Sequence, residues 1–538
     1  MGYWRTAWAV CLDFTTKWIE WSRWTGSGVS SLLLVAIVWS NSLAQEPASE
    51  QVTRRNILLI LTDDQGWPTL GCYGGTKVPT PHLDRLAAEG TRFTDAYVTS
   101  QCTPTRATLL TGQYTIRHGL WHVLPWYGYP YAAMTEPVYR ENFPRGRMTI
   151  AKALQDAGYR TGIVGKWHLT SNEDGNYMGL RPGGAGHYGF DYAPEPIPKT
   201  YFSEGQDRGV ELLTEQTLEF IGESKEQPWF CLLSHHMIHG KVVAPQDVEE
   251  KYLRQGYRKE GPDRAVYLAG LECIDRSVGK LRRQLDQMGE LDDTVIIFLS
   301  DNGGIYRRQE FRPQTEMANS EPKFEVDLIE YSNAPLREGK GSIYEGGVRV
   351  PWIIFGPGVA SQQVIAKPVH CVDLFPTILD FAGVQLPPDY ELDGLSLLPL
   401  VDRSVPVKAD ENTAFDTRSV FQYYPFYDLR WGLTPSASIR KGTYKLIEFF
   451  GDRVNAEPRY RLGARIELYN LRTDIGEEEN LAVTLPEKSS ELRSELRSWL
   501  EQFSGSIPVT NRRFEDSRAF FETRTKTSWL TGKSWQAD

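Results

Sequence analysis

The sequence has little cysteine, and its cysteines form no recognisable framework. Six cysteines are spread at wide spacings over 538 residues, whereas disulfide scaffolds and structural zinc sites place cysteines at short, repeated intervals. Cysteine is therefore expected to act singly here, either as a small buried apolar residue or as a chemically used thiol.

An excess of positive charge is also missing. The chain has 59 Lys and Arg against 69 Asp and Glu, which gives a formal net charge of -10 at pH 7. Proteins that bind nucleic acid usually carry a basic surface that neutralises phosphates, so no nucleic acid partner is expected. The acidity does not restrict the substrate, because a basic pocket can lie inside an acidic protein.

The chain also lacks a long apolar run near its N-terminus, and no stable membrane span is expected, since a span takes about 20 apolar residues. The short apolar run at residues 31–40 follows Lys17 and Arg23 and precedes small residues at 42–44. This order predicts a signal peptide at 1–44 and export to a periplasmic, extracellular or lysosome-like compartment. The leader is unusually long, and an uncleaved anchor is the alternative.

Apolar strand-like runs alternate with amphipathic helix-like segments from Asn56 to about Gly383. This alternation predicts a mostly parallel sheet covered by helices on both faces, with ligands bound beyond the carboxyl ends of the strands. Shorter strand-like runs after Asp393 lead to a helical segment at 487–503, which predicts a smaller α+β subdomain. The predicted organisation is a signal peptide (1–44), a main domain (54–400), a C-terminal subdomain (401–505) and a tail (506–538).

Oxygen-bearing side chains follow two of the predicted strands. Asp63 and Asp64 come after the apolar run at 56–61, and Asp301 and Asn302 follow the run at 295–299. Either pair alone is compatible with a simple turn. Together, at strand ends of one sheet, they predict a site for a hard divalent cation, Ca²⁺ with Mg²⁺ as the alternative. Oxygen ligands disfavour zinc.

Cys102 lies at the start of a predicted helix, in the block CTPTRATLLTG at residues 102–112. Pro104 suits the first turn, where its missing N–H costs nothing. A helix N-terminus attracts anions, and Arg106 adds a bidentate donor for an oxyanion. Taken alone, the cysteine is also compatible with a structural thiol.

The block resembles the signature of the sulfatases, a family in which the cysteine is oxidised enzymatically to formylglycine. The segment GKWH at 165–168 resembles the second family signature, and His239 lies where the family carries an active-site histidine. Residues 336–351 resemble the block that contains the second substrate lysine, here Lys340. The resemblance runs from about Asn56 to Pro399. It implies an alkaline-phosphatase-like α/β fold, a sandwich with a large mixed, mostly parallel sheet flanked by helices, and a C-terminal subdomain on a small antiparallel sheet.

The resemblance also implies the roles of individual residues. A hydroxyl of hydrated formylglycine attacks sulfur, His239 or His168 protonates the leaving alcohol, and sulfate then leaves as the aldehyde is restored. His235 and His236 are neighbouring alternatives to His239, and His118 and His122 lie near the cysteine helix. The implied catalytic residues are Cys102, Arg106, Lys166, His168, His239 and Lys340. The implied metal ligands are Asp63, Asp64, Cys102, Asp301 and Asn302.

The implied partners are a formylglycine-generating enzyme during maturation and a substrate that is a sulfated carbohydrate or an aryl sulfate. A phosphonate monoester or phosphodiester hydrolase of the same superfamily is one alternative, and a non-catalytic glycan-binding homologue is another. Two sets of loop residues are candidates for binding sugar rings and further sulfates, with surface packing as the alternative. They are Trp121, Trp126, Tyr127, Tyr129 and Tyr131, and Arg307, Arg308 and Arg312.

Overall fold

The structure is a computed structural model, and the parts of the chain that it describes begin at Arg54. The described residues are 54–124, 128–138, 140, 142–170, 184–224, 226–240, 242–306, 308–311, 324–327, 331–386, 388–402, 404, 409–454, 460–503 and 507–516. The predicted signal peptide at 1–44 lies outside them, so cleavage and export stay predictions. No helix in these ranges is long and apolar enough to cross a bilayer.

Strands and helices alternate along the first part of the chain, as predicted. The strands are β1 (Asn56–Thr62), β2 (Thr91–Phe93), β3 (Ala96–Tyr97), β4 (Met134–Thr135), β5 (Arg160–Gly165), β6 (Trp229–Ser234), β7 (Thr294–Ser300), β8 (Arg308–Phe311), β9 (Phe324–Asp327), β10 (Trp352–Phe355), β11 (Gln363–Ile365), β12 (Val369–His370), β13 (Ser419–Tyr424), β14 (Ser436–Lys441), β15 (Tyr444–Phe449), β16 (Asp452–Val454), β17 (Tyr460–Leu462), β18 (Arg465–Asn470) and β19 (Val509–Thr510). The helices are α1 (Pro81–Glu89), α2 (Cys102–Thr111), α3 (Thr115–His118), α4 (Ile150–Asp156), α5 (Val210–Glu223), α6 (Gln246–Arg254), α7 (Ala265–Met288), α8 (Glu345–Val348), α9 (Leu374–Ala382), α10 (Leu398–Val401), α11 (Ala409–Thr417) and α12 (Pro486–Glu501).

The main sheet has seven strands in the order β11-β2-β10-β7-β1-β6-β5. Strands β7, β1, β6 and β5 are parallel neighbours, whereas β10 runs antiparallel to both of its neighbours. The sheet is therefore mixed and mostly parallel, which confirms the predicted fold class.

Both faces of this sheet are buried because the central strands β1, β6 and β7 carry apolar side chains at every position between their end residues. Along β1, Ile57, Leu59 and Leu61 belong to one hydrophobic core and Leu58 and Ile60 to another. Successive side chains of a strand point to opposite faces, so one uninterrupted apolar run supplies both cores.

A four-stranded antiparallel sheet, β13-β14-β15-β18, forms near the C-terminus, and α12 packs on β14 and β15. This confirms the smaller antiparallel subdomain. Its hydrophobic core also includes Ile343, Tyr344 and Val348, which follow the predicted substrate lysine, Lys340. The C-terminal sheet therefore supports the segment that carries that lysine, while the domain boundaries near 400 and 505 stay predictions.

Candidate active site

Four parallel strands bring the predicted site residues to one edge of the main sheet. Thr62 at the end of β1 is in register with Ser300 at the end of β7, and Leu61 is in register with Ser234 at the end of β6. Asp63 directly follows β1, and Asp301 directly follows the adjacent strand β7. The predicted histidines at 235, 236 and 239 follow β6, the neighbour of β1 on its other side. The sheet topology alone therefore gathers residues that lie far apart in the sequence.

Cys102 is the first residue of α2, and its thiol faces the strand ends. Its Sγ lies 3.3 Å from Asp63 Oδ1, and Lys340 Nζ lies 3.5 Å from the same sulfur. Burial, together with the carboxylates of Asp301 and Asp63, raises the pKa of this thiol. Unmodified, Cys102 is therefore a neutral thiol at physiological pH and a poor nucleophile.

Three ion pairs join the predicted catalytic cations to the predicted metal ligands. The pairs are Lys166–Asp63 at 2.5 Å, Lys340–Asp64 at 2.6 Å and Arg106–Asp301 at 2.7 Å. All six side chains are largely buried. Three carboxylates thus balance three permanent cations, and the charges of this cluster cancel.

Two acceptor atoms in this cluster point to a bound cation. Asp64 Oδ2 and Asn302 Oδ1 are buried, and neither accepts a hydrogen bond from a residue that the structure describes. Ligand atoms of Asp63, Asp64, Cys102 and His239 lie within 4.8 Å of one another. A buried oxygen that accepts no hydrogen bond is costly unless a positive charge satisfies it. The oxygens of Asp64 and Asn302 therefore fit a hard divalent ion.

Asp301 has other partners in this arrangement. Its Oδ2 accepts two hydrogen bonds from Arg106, at 3.0 and 2.7 Å, and its Oδ1 lies 3.3 Å from the Asp64 backbone N–H. Burial and the neighbouring Asp63 carboxylate raise the pKa of Asp301 to about 6, although Arg106 opposes this. Its part in binding a cation therefore stays a prediction.

His239 reaches the carboxylate cluster from the loop that follows β6. The backbone N–H of Asp63 donates to Met237 O at 2.9 Å, and that of Ile238 donates to Asp63 O at 2.6 Å, which ties this loop to the end of β1. His239 Nδ1 lies 2.8 Å from Gly240 O and must carry the proton, because a carbonyl only accepts. Its Nε2, 3.9 Å from Asp64 Oδ2, therefore becomes a donor only on protonation.

The other predicted histidines are placed differently. His168 Nε2 lies 3.0 Å from Leu124 O, so this nitrogen is occupied by a backbone carbonyl. His235 is fully buried, and burial lowers its pKa to about 3. Burial first, and nearby cations second, also lower the pKa of His239 and of His168 well below the ordinary value. The geometry therefore favours His239 among these histidines as the group that faces the cluster.

Lys340 reaches the site because glycines let its loop pack tightly against the end of β7. Its backbone N–H donates to Gly304 O at 2.9 Å. A side chain at Gly303 would collide with the carbonyl oxygen of Gly346, so this crossing of two backbones requires glycine. Gly303 therefore has a packing role, because it lets the segment that contains Lys340 pack against the end of β7.

Family models match nearly all of the folded chain. One described as Sulfatase matches residues 55–384, and one described as N-sulphoglucosamine sulphohydrolase, C-terminal, matches residues 339–505. The chain belongs to the sulfatase family. Arylsulfatase A of Homo sapiens is 30% identical over 499 residues, which cover 84% of this chain and 87% of the human enzyme. The protein is therefore a sulfuric ester hydrolase.

Solved structures agree with this sulfatase in fold. The structure of Ps i-CgsB in complex with k-i-k-neocarrahexaose has a TM-score of 0.63 at 23% identity and covers 89% of this chain and 100% of that chain. Phosphonate monoester hydrolase SpPMH from Silicibacter pomeroyi has a TM-score of 0.56 at 20% identity and covers 86% of this chain and 100% of that chain. At these identities, the likeness shows the fold alone.

The sulfatase site also has a buried polar cluster around His122, whose other members, Gln101, Asp428 and Arg430, were not predicted from the sequence. Asp428 Oδ2 accepts a hydrogen bond from Gln101 Nε2 at 2.9 Å and lies 3.0 Å from His122 Nε2. Arg430 binds both oxygens of the same carboxylate, at 2.8 and 2.7 Å. No motif marks this cluster, because its members come together only when the C-terminal subdomain packs beside Cys102.

Of the five aromatic residues proposed to bind sugar rings, the structure describes three, and Tyr131 is half-buried. Trp121 and Tyr129 are buried, and Trp121 packs edge-on against Tyr423. Packing, the stated alternative, therefore accounts for these two residues. Trp126, Tyr127, Arg307 and Arg312 lie outside the described residues, as does the side chain of Arg308.

Proposed function

We propose that this sulfatase hydrolyses sulfate esters on a carbohydrate by means of a formylglycine made from Cys102 and a bound divalent cation. The observation that carries the proposal is the position of Cys102, which opens a buried helix against Asp63 and Lys340. A thiol with a raised pKa is a weak nucleophile in this setting, which gives a physical reason for its modification.

The predicted ligands Asp63, Asp64, Asp301 and Asn302, together with residue 102, would hold the cation. Support comes from Asp64 Oδ2 and Asn302 Oδ1, which are buried and accept no hydrogen bond from described residues. Oxygen ligands suit Ca²⁺ and Mg²⁺, and Ca²⁺ tolerates the less regular geometry. When bound, the cation would polarise the sulfate oxygens and add two positive charges to a cluster whose own charges cancel. A sulfate monoester anion is then attracted to the pocket.

Arg106, Lys166 and Lys340 neutralise the sulfate oxygens, which otherwise repel a nucleophile. Each lies in a fixed position because a carboxylate already holds it. His239 protonates the leaving alcohol from Nε2, the nitrogen that Gly240 leaves available. The anionic substrate raises the pKa of this imidazole and so favours the protonated form.

If Cys102 carries the aldehyde, its hydrate would supply one hydroxyl that forms the bond to sulfur and a second hydroxyl whose deprotonation would expel sulfate and restore the aldehyde. The bond between sulfur and the substrate oxygen breaks, and the alcohol takes the proton of His239. Water rehydrates the aldehyde, so the balance is one ester and one water converted to an alcohol, sulfate and a proton.

A sulfated carbohydrate is the proposed substrate, and an aryl sulfate is the alternative. Support comes from the predicted signal peptide, which indicates export, and from the oligosaccharide in the Ps i-CgsB structure. Maturation requires a formylglycine-generating enzyme as a partner.

The test is sulfate release from a panel of sulfated oligosaccharides and aryl sulfates, measured by ion chromatography after co-production with a formylglycine-generating enzyme. We expect release by the parent protein and by Cys72→Ala, a control outside the site, and none by Cys102→Ala. Mass spectrometry of the peptide around Cys102 should show the aldehyde. Equal release by Cys102→Ala would rule out the nucleophile assignment.

A phosphonate monoester or phosphodiester hydrolase is the second candidate, because SpPMH shares the fold. The same panel should include a phosphonate monoester and a phosphodiester. Faster turnover of either than of every sulfate ester would favour this alternative. A non-catalytic glycan-binding role is less well supported, because the chain retains the implied nucleophile and all three cations.

A further inference from the structure

The turn at residues 428–431 of the C-terminal subdomain lies between two parts of the nucleophile pocket. On one side, Asp428 binds Gln101, the residue before Cys102. On the other, a side chain at Gly341, the residue after Lys340, would collide with the ring of Trp431. Arg430 lies between these two contacts in the sequence. Its Nη2 and the Nε2 of Gln101 both donate to Asp428 Oδ2, so the guanidinium lies beside the residue that precedes Cys102.

The position of Arg430 is fixed from behind. Asp428 is fully buried, and both of its oxygens accept hydrogen bonds from the guanidinium, through Nε and Nη2. Backbone hydrogen bonds between Asp428 and Leu433, at 3.0 Å in each direction, close the turn. A guanidinium held in this way is pre-organised, so it loses little entropy when a ligand binds.

Arg430 also differs from the three inner cations in exposure. The side chains of Arg106, Lys340 and Lys166 are 3%, 6% and 11% exposed, whereas that of Arg430 is 27% exposed. In the proposed reaction the transferred sulfate would bind among the three inner cations, so the more exposed Arg430 would meet the part of the substrate that leaves as the alcohol.

We infer that Arg430 determines substrate specificity by binding a second oxyanion, a carboxylate or another sulfate, on the leaving group. The inference rests on the proposed function and names the chemistry of its substrate. Arginine carries five N–H donors in a planar fork that suits oxyanions, and Asp428 accepts hydrogen bonds from two of the three nitrogens of Arg430, Nε and Nη2. A neutral hydroxyl would not require a cation, and burying a cation with its carboxylate partner is costly.

The test measures binding, so it does not depend on turnover. The protein is the full chain carrying Cys102→Ala, and the probes are a disaccharide with one sulfate ester and one carboxylate, its carboxyl-reduced form, and a doubly and a singly sulfated disaccharide. Isothermal titration calorimetry gives the ratio of dissociation constants within each pair. We expect at least one pair to show a preference of about 10- to 100-fold for the second oxyanion.

Replacing Arg430 with Gln should reduce that preference to near unity, and Arg430→Lys should retain part of it because the charge remains without the fork. Arg465→Ala is the matched control, since this arginine lies on β18, is 40% exposed and, like Arg430, pairs with a buried carboxylate, that of Glu467. Gln can still donate to Asp428, which protects the fold of the turn.

A preference that survives in Arg430→Gln would overturn the inference, as would a parent protein with no preference in either pair. Equal weakening of both members of a pair would assign Arg430 to hydroxyl recognition and would also overturn it. These outcomes are independent of the proposed function, which fails instead if no sulfate ester is hydrolysed by protein that carries the aldehyde.

Discussion

Replacing Lys445 with Met should destabilise the contact between the C-terminal sheet and the active-site loop. Lys445 lies on β15 with its side chain 2% exposed, and its Nζ is 2.9 Å from an oxygen of Glu345 and 2.9 Å from an oxygen of Glu477. Glu345 begins α8, five residues after Lys340 in the sequence. The lysine therefore ties the sheet to the loop that supplies a predicted catalytic cation.

The magnitude follows from the burial of both glutamates. Removing one partner of a buried ion pair leaves uncompensated charge and costs about 3–5 kcal/mol of unfolding free energy. Lys441→Met is the matched control on the adjacent strand, because the Lys441–Glu495 pair is 34% exposed on both sides. Exposed pairs contribute about 0–1 kcal/mol, so the two variants should differ several-fold.

The loss should also depend on pH. Burial raises the pKa of Glu477 to about 7, although Lys445 opposes this. A carboxyl whose pKa is higher folded than unfolded binds a proton on folding, so its contribution to stability falls as pH rises from about 4.5 to 7. Without Lys445 the pKa rises further, and the variant should lose less at pH 5 than at pH 8.

Urea denaturation followed by circular dichroism at pH 5 and pH 8 measures both effects. Adding Glu477→Gln to Lys445→Met should restore most of the lost stability, because the charge of Glu477 is then removed and Glu345 keeps Arg349 as its partner. Equal midpoints for Lys445→Met and Lys441→Met at pH 8 would refute the reasoning, since burial would then not determine the cost.

Three further predictions concern the site and the C-terminal sheet. Asp301→Ala should lose bound metal, measured by mass spectrometry of the purified protein, together with sulfate release; activity in metal-stripped variant would contradict the predicted role of Asp301. Cys102→Ser should keep a covalent sulfate after exposure to substrate, because serine lacks the second hydroxyl that expels it, and intact-protein mass detects the adduct. Burial raises the pKa of Asp452 to about 7 despite the hydrogen bond from Tyr427, so its contribution to stability falls as pH rises from about 4 to 7. Asp452→Asn should remove this dependence and gain stability relative to the parent by thermal melting at pH 8, and an unchanged difference between pH 4 and pH 8 would count against it.

The central strands could be predicted because their apolar runs are uninterrupted. The run at 295–299 has no polar residue, and the structure forms β7 there with every residue buried. Strand β2 could not be predicted because it has only three residues, and the charged Arg92 in the middle leaves no apolar run. The antiparallel direction of β10 was also not predictable, since apolarity contains no information on strand direction.

The candidate site shows the same division between local pattern and long-range packing. The closeness of Asp63 and Asp301 could be predicted because parallel neighbours end at the same edge of the sheet. The pairing of Asp301 with Arg106, and the orientation of the ring of His239, depend on contacts between distant segments. No spacing in the sequence records such contacts.

The charges of the site give a reason why Arg430, the more exposed cation, comes from the C-terminal subdomain and not from the segments that supply the inner cations. The formal charges of the inner carboxylates and cations cancel, so the inner site would attract a sulfate group only with the proposed cation bound, and its residues would have little means of selecting what carries that sulfate. Discrimination between substrates that carry the same sulfate group must then come from residues nearer to the solvent. Arg430 is held by a carboxylate within its own turn, so this position can change without disturbing the inner ion pairs. Substrate preference can therefore vary among sulfatases while the chemistry at Cys102 is preserved.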